Sequence, residues 1–174
     1  MILIYYRLQR QALRTEKEEL ALAVSFCYII NIMKPTLNPY LTFDGNCKEA
    51  MKFYQSVLGG KLTMQTFGDS GMPTIPQQKD KIIHADLKNS SLSFMASDGS
   101  PDHPVHMGDN ISMSIAGAQE DEATLTKYFN GLAEGGKVDM PLAKQFWGDT
   151  FGMLTDKFGI HWMVNISSQT PPSK

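Results

Sequence analysis

Hydrophobic residues recur twice along the chain with the spacing of an amphipathic helix. The first set comprises Ala50, Phe53, Tyr54, Val57 and Leu58, and the second comprises Leu125, Tyr128, Phe129, Leu132 and Ala133. Both sets follow the i, i+3, i+4, i+7, i+8 pattern of one helix face. A Gly-Gly pair follows each set, at Gly59-Gly60 and Gly135-Gly136, and such glycines end helices. The pattern therefore predicts two helices, with Asn46 as the N-cap of the first.

Extended segments flank both predicted helices. The predicted strands are Leu37–Phe43, Lys61–Phe67, Ile82–Lys88 and Leu92–Ser97, then Asn110–Ala116, Val138–Trp147, Thr150–Asp156 and Ile160–Ile166. Each half thus has the order β-α-β-β-β. The matching aromatic pairs Phe53-Tyr54 and Tyr128-Phe129 add to this similarity. The sequence predicts an α+β fold of two βαβββ modules, residues 34–100 and 108–167, that form open cup-like sheets.

The two ends of the chain differ from this repeat. Residues 1–33 combine mixed charges with an apolar run from Leu20 to Ile32, which is shorter than the roughly 20 residues that span a bilayer. We interpret 1–33 as an extension, disordered or arising from a mis-assigned start upstream of Met33. A signal peptide and a membrane-surface helix are the alternatives. We expect the tail 168–174, with Pro171-Pro172, to be disordered.

The composition of the chain excludes several classes of protein and of partner. Of the 174 residues, 42% are hydrophobic and 20% are charged, which excludes a disordered chain, a collagen and a coiled coil. The net charge is −2 and no basic stripe is visible, so we expect no nucleic-acid partner. The two cysteines, Cys27 and Cys47, are too few for a disulfide scaffold or a four-thiolate zinc site. We therefore expect a cytoplasmic protein that has no membrane partner.

Two long segments resemble a known family. PYLTFDGNCKEAMKFYQSVLGGKL near the start and KQFWGDTFGMLTDKFGIHWMVN near the end resemble the PhnB-like branch of the vicinal oxygen chelate superfamily, which includes glyoxalase, bleomycin-resistance and dioxygenase proteins. The resemblance covers about residues 35–167. It implies paired βαβββ modules that curl into a cup, and a homodimer as the usual assembly.

Strand alternation then predicts which side chains face the cup. We expect Ile83, Ile111, Met113, Phe94 and Trp162 to lie in the core. The residues that we expect to bind a small-molecule ligand in the cup are Tyr40, Thr42, Met95, Ser112, Ser114, Gln145, Trp147, His161, Met163 and Asn165. His84 and Asp86 share a cup-facing side of one strand, and they are the candidate catalytic pair: a general base steered by a carboxylate.

The metal chemistry of similar proteins is not expected here. The resemblance implies histidine and carboxylate ligands on the first and last strands of each module. The carboxylate positions fall at Met95 and Met163, or one pleat on at Ser97 and Asn165, and none of these is a carboxylate. Thioethers and amides are poor ligands for hard cations, so we expect no divalent metal and leave any cofactor unknown. Asp102, His103 and His106 form an alternative trio in the loop between modules.

Four functional hypotheses follow. The first is a metal-free protein that binds a small molecule in a polar, Met-lined cup. The second is an enzyme in which His84 and Asp86 transfer protons on a small metabolite. The third is an interaction module whose cup is filled by side chains. The fourth is the quinone-pathway methyltransferase whose label PhnB-like proteins often bear. That activity would need a glycine-rich turn, which Phe43-Asp44-Gly45-Asn46-Cys47 does not supply.

Cys47 is either a reactive thiol at a helix N-terminus or a small half-buried side chain.

Overall fold

A computed structural model describes residues 35–100 and 104–168. The chain divides into two units, Met1–Leu37 and Asn38–Lys174. Of the first unit, only residues 35–37 are described, and they have no regular secondary structure. The predictions for residues 1–33 and for the end of the tail therefore lie outside the described residues. No helix within the described ranges is long and apolar enough to cross a membrane.

The second unit contains two modules with the same order of elements. The first module consists of β1 (Tyr40–Phe43), α1 (Cys47–Leu58), β2 (Lys61–Thr66), β3 (Ile82–Lys88) and β4 (Ser93–Asp98). The second consists of β5 (Met113–Ala118), α2 (Glu122–Leu132), β6 (Lys137–Lys144), β7 (Thr150–Thr155) and β8 (His161–Ser167). The predicted α+β fold of two βαβββ modules is confirmed.

The two sheets have equivalent topology. Their strand orders are β1-β4-β3-β2 and β5-β8-β7-β6. In each sheet the first strand pairs in parallel with the last, and the other pairs are antiparallel. Tyr40 lies opposite Met95 in the first sheet, and Ser114 lies opposite Met163 in the second. The repeated topology explains why the helical pattern recurs in the sequence.

The modules share one hydrophobic core between their helices and the inner sheet faces. Tyr54 of α1 packs against Phe94 of its own module and against Trp162 of the other, with ring centroids 5.8 and 5.6 Å apart. Asp156, in the turn between β7 and β8, is buried there and accepts hydrogen bonds of 2.8 Å from both the Tyr54 hydroxyl and the Trp162 indole. The backbone N–H groups of Phe158 and Ile160 also donate to this carboxylate. Burying a carboxylate is costly unless it is fully hydrogen-bonded, and here four donors meet that need.

The cap of α1 differs from the prediction. Asn46 occupies the N-cap position, but its side chain makes no capping hydrogen bond. The buried carboxylate of Asp98, at the end of β4, accepts instead from the N–H groups of Cys47 (2.9 Å) and Ile82 (2.7 Å). One long-range contact thus holds the start of α1 and the start of β3 together.

Four strand predictions are wrong in detail. The first strand begins at Tyr40 rather than Leu37, because pairing with β4 begins there. Ile111 is 77% exposed, because pairing between β5 and β8 begins only at Met113. Ile83 is half-buried and Ile82 takes the core position, because the register shifts where β2 meets the start of β3. The sixth strand ends at Lys144, and Gln145 lies in the turn that leads to β7.

Candidate functional site

The sheet faces turned away from the helices carry most of the predicted site residues. In the first sheet, the register aligns Tyr40, Met95, Asp86 and Thr63 across all four strands. The Tyr40 hydroxyl lies 3.5 Å from Nδ1 of His84, with ring centroids 6.0 Å apart. The sequence predicts that Asp86 steers His84. The structure instead places the Tyr40 hydroxyl beside this histidine, and Asp86 lies opposite Met95 and Thr63.

The corresponding face of the second sheet is rich in methionine. Met163 lies opposite both Ser114 of β5 and Met153 of β7. The next row joins Asn165 to Phe151. Met95 and Met163 are both half-buried, each at the centre of its sheet. Met163 and Met153 give this face a soft apolar patch beside the polar Ser114 and Asn165, since thioether side chains adapt to irregular neighbours.

A hydrogen-bonded chain begins at His161, the first residue of β8. Nδ1 of His161 lies 2.9 Å from Oγ1 of Thr155, and the Thr155 hydroxyl donates to Oδ2 of Asp139 at 2.8 Å. Lys137 donates to the other oxygen of Asp139 at 2.7 Å. The hydrogen bonds from Lys137 and Thr155 lower the pKa of Asp139, which favours its ionised form. The chain thus runs across β8, β7 and β6.

Sequence reasoning missed Thr155 and Asp139. Alternation along the predicted strand Thr150–Asp156 could have placed Thr155 on the same face as the cup-facing residues. The same alternation could not have placed Asp139, because β6 pairs irregularly with β7, with register shifts on either side of Met140.

A cleft of about 580 Å³ opens beside the start of β8. Its walls come from residues 39–42 at β1, residues 104–108 of the linker between modules, Ile111, Met113 and residues 159–161. Most of these side chains are apolar, and the polar ones are those of Tyr40, Thr42, His106 and His161. Small-molecule sites are typically concave and largely apolar with a few polar groups, and this cleft has that character.

Other predicted ligand residues lie away from the cleft. Ser114 lines a smaller cavity of about 310 Å³ between β5 and the turn from β3 to β4. Ser112 is half-buried just before β5 begins. The Asn165 amide donates to Asp149 at 3.0 Å, and the Gln145 amide donates to the carbonyl of Ala143 at 3.0 Å. Of the ten residues predicted to bind a ligand, Tyr40, Thr42 and His161 line the cleft, and the other seven lie outside it.

Trp147 belongs to an exposed aromatic cluster on the turn between β6 and β7. Trp147 is 49% exposed, and its ring centroid lies 4.8 Å from that of Phe146 and 6.0 Å from that of Phe151. Phe146 is 97% exposed. Trp162 lies in the core as predicted. The two tryptophans therefore have different environments, as strand alternation predicted.

The Cys47 thiol is fully buried rather than half-buried. Burial, and then the nearby charge of Asp98, raise the pKa of this thiol to about 12. The helix N-terminus does not activate the thiol, because Asp98 already occupies it. At neutral pH Cys47 is a protonated core side chain, which excludes the reactive-thiol alternative.

The donor atoms in place do not fit a glyoxalase-type metal centre. Across residues 35–100 and 104–168, no three His, Cys, Asp or Glu side chains are grouped closely enough to hold a metal ion. Thioethers and an amide stand where the resemblance implies carboxylates, at Met95, Met163 and Asn165. Asp102 and His103 lie outside the described residues, so the loop trio with His106 stays a prediction.

The comparisons with known proteins agree with the fold. The family model described as 3-demethylubiquinone-9 3-methyltransferase matches residues 35–165. Protein YjdN of Escherichia coli K12 is 32% identical in an alignment 148 residues long, which covers 78% of this chain and 97% of YjdN. The crystal structure of PA1353 from Pseudomonas aeruginosa is 44% identical, has a TM-score of 0.70, and aligns over 78% of this chain and all of its own. A PhnB protein from Bacillus cereus is 25% identical, with a TM-score of 0.61 over 76% of this chain and all of its own.

Proposed function

This chain belongs to the PhnB-like family of the vicinal oxygen chelate superfamily, the family described as 3-demethylubiquinone-9 3-methyltransferase, and we propose that it binds a small molecule without the metal centre of glyoxalases. The observation that carries this proposal is the cleft of about 580 Å³ beside β1 and β8. That volume lies in the range of small-molecule sites. The ligand would have an apolar body and at least one group that hydrogen-bonds to Tyr40, Thr42, His106 or His161.

The methyltransferase description of the family is not carried over to this chain. A helix N-terminus can bind an anionic cofactor through its free N–H groups. At α1, the Asp98 carboxylate already accepts from the N–H of Cys47. The turn Phe43-Asp44-Gly45-Asn46-Cys47 also lacks the glycine repeat of nucleotide-type loops. The residues after β1 therefore do not fit a methyl donor held in that way.

Filling the cleft tests the proposal. Thr42 is an exposed residue of β1 at the cleft wall, so Thr42→Trp would occupy part of the space without disturbing the core. We expect fragments that bind the wild-type chain in a saturation-transfer NMR screen to lose at least about tenfold in affinity to this variant, because steric exclusion costs more than about 1.4 kcal/mol.

The matched control is Thr63→Trp, which makes the same change at an exposed residue of β2 outside the cleft. This variant should bind the fragments as the wild type does. If the wild type, Thr42→Trp and Thr63→Trp bind the fragments with equal affinity, the fragments bind outside the cleft. A screen without hits would favour the interaction-module hypothesis.

An enzyme in which His84 transfers protons, oriented by Tyr40 where the sequence predicted Asp86, is a second proposal. The observation that favours it is the contact of His84 with Tyr40, a residue of the cleft wall. Turnover of a bound fragment that is lost in His84→Ala would support this role. Unchanged turnover in that variant would refute it.

We also propose that the protein is a homodimer. Phe146 and Trp147 present a contiguous apolar surface, and such surfaces often form protein–protein contacts. The turn between β6 and β7 that carries them is the surface we assign to a second copy of this chain.

A further inference from the structure

The ring of His161 has a defined tautomer. Asp139 is held ionised by Lys137, so its carboxylate can only accept hydrogen bonds. The Thr155 hydroxyl has a single proton, which it donates to Asp139 at 2.8 Å. Its remaining lone pairs can therefore only accept from His161, 2.9 Å away. Nδ1 of His161 must carry a proton, and Nε2 of the neutral ring is then an acceptor.

This acceptor belongs to a side chain that lines the cleft. His161 is half-buried, and within the described ranges its hydrogen-bond partner is Thr155. An imidazole that is oriented through Nδ1 and open at Nε2 is the arrangement of a general base.

We propose that His161 is the proton acceptor of the cleft, that Thr155 and Asp139 are its positioning residues, and that the cleft takes weakly acidic hydroxyl compounds of the phenol or enol class. In the step, the ligand O–H bond breaks, the Nε2–H bond forms, and the oxygen keeps the electron pair as a phenolate or enolate. No co-reactant is needed. The apolar walls contributed by Leu41, Val105 and Met113 suit the ring or chain that carries the hydroxyl.

This inference rests on the proposed ligand binding in the cleft, and a pair of probes separates the two. Para-nitrophenol carries the acidic hydroxyl and changes its absorption when it ionises, whereas nitrobenzene has a similar shape without the hydroxyl. We expect the full chain to bind both, with para-nitrophenol bound about tenfold more tightly and more ionised than in buffer of the same pH.

The variants locate the acceptor. His161→Phe should abolish the preference for para-nitrophenol and its extra ionisation while nitrobenzene still binds. Thr155→Val keeps the shape of the side chain but removes the hydroxyl, and it should lower the preference several-fold, as should Asp139→Asn. Thr63→Val makes the same change as Thr155→Val on the exposed strand β2, and it should leave both probes unaffected.

The tautomer of His161 is a measurement that would not change if Thr155 had a purely structural role. Imidazole nitrogen chemical shifts in isotope-labelled protein should show a protonated Nδ1 at His161 in the wild type, and loss of this preference in Thr155→Val. A wild-type ring protonated at Nε2 would overturn the proposal, as would an unchanged preference for para-nitrophenol in His161→Phe. If neither probe binds the wild type, the ligand-binding proposal itself fails.

Discussion

Cys47 illustrates how far a single side chain can depart from what its sequence position suggests. The first turn of a helix is a place where thiols are often activated, yet this thiol lies in the core beside the Asp98 carboxylate. Both burial and the neighbouring charge oppose the thiolate and raise the thiol pKa to about 12. The burial of the Cys47 side chain determines the reactivity of its thiol, and the sequence pattern does not reveal that burial.

We predict that Cys47 resists alkylation until the protein unfolds. In a Cys27→Ser variant, where it is the remaining cysteine, its reaction with iodoacetamide at mildly alkaline pH should be at least about a thousandfold slower in the folded protein, because the pKa shift alone removes that much thiolate. Mass spectrometry of timed samples measures the rate. Rapid labelling without denaturant would show that the thiol is accessible.

The raised pKa of the Cys47 thiol also makes the stability of the folded protein depend on pH. The folded thiol keeps its proton at pH values where the unfolded thiol, with an ordinary pKa of about 8.5, has lost it. Stability should therefore fall as the pH rises above that ordinary value, by up to about 1.4 kcal/mol per pH unit. Cys47→Ala should remove this part of the pH dependence, which equilibrium denaturation curves can detect.

At the scale of the secondary-structure elements, the start of α1 depends on a residue from another strand. Asp98 accepts from N–H groups of both α1 and β3, whereas the side chain of Asn46 makes no capping bond. We predict that Asp98→Ala lowers the free energy of unfolding by about 2–4 kcal/mol, because two buried N–H groups lose their acceptor.

Asn46→Ala is the matched comparison for that prediction. It should change the free energy of unfolding by less than about 0.5 kcal/mol, as most surface substitutions do. Urea denaturation of the two variants measures both values. The assignment of the cap to Asp98 would be wrong if Asn46→Ala cost as much as Asp98→Ala.

The helices were predictable from the sequence because the spacing of their apolar residues is a local property. The residues from Ala50 to Leu58 and from Leu125 to Ala133 pack as their spacing indicates. The limits of β5 and β6 were less predictable, since they depend on pairing with β7 and β8. Ile111 has the alternation of a strand residue but no partner strand, so it lies in the linker and lines the cleft.

The candidate site was predictable only in part for the same reason. Alternation placed Tyr40, Thr42 and His161 on outward faces, and the structure brings these three to one cleft. It could not show that the linker after Pro104 forms a wall, nor that Thr155 and Asp139 stand behind His161. Those contacts join residues that lie far apart in sequence or in irregular pairings.

At the scale of the whole molecule, two modules share one core but expose an aromatic turn. A homodimer through that turn would cover Phe146 and Trp147. We predict that the full chain sediments as a dimer, and that Phe146→Asp raises the dimer dissociation constant at least about tenfold, because truncating an aromatic hot-spot residue typically costs about 2 kcal/mol or more. Analytical ultracentrifugation over a concentration series measures this.

The comparison for the dimer is Met72→Asp, which makes a similar apolar-to-acidic change on the exposed loop between β2 and β3. This variant should sediment as the wild type does. A wild-type monomer at all concentrations would exclude the proposed dimer, and an equal effect of both substitutions would place the contact elsewhere.

The most direct test of the central claim is a residue-resolved NMR titration of the full chain with its best-binding fragment, performed after treatment with a chelator. Binding in a metal-independent cleft predicts saturable shifts at Tyr40, Thr42, His106, Met113 and His161, with the same affinity before and after chelation. Shifts that cluster elsewhere, or binding that disappears on chelation and returns with a divalent cation, would contradict it.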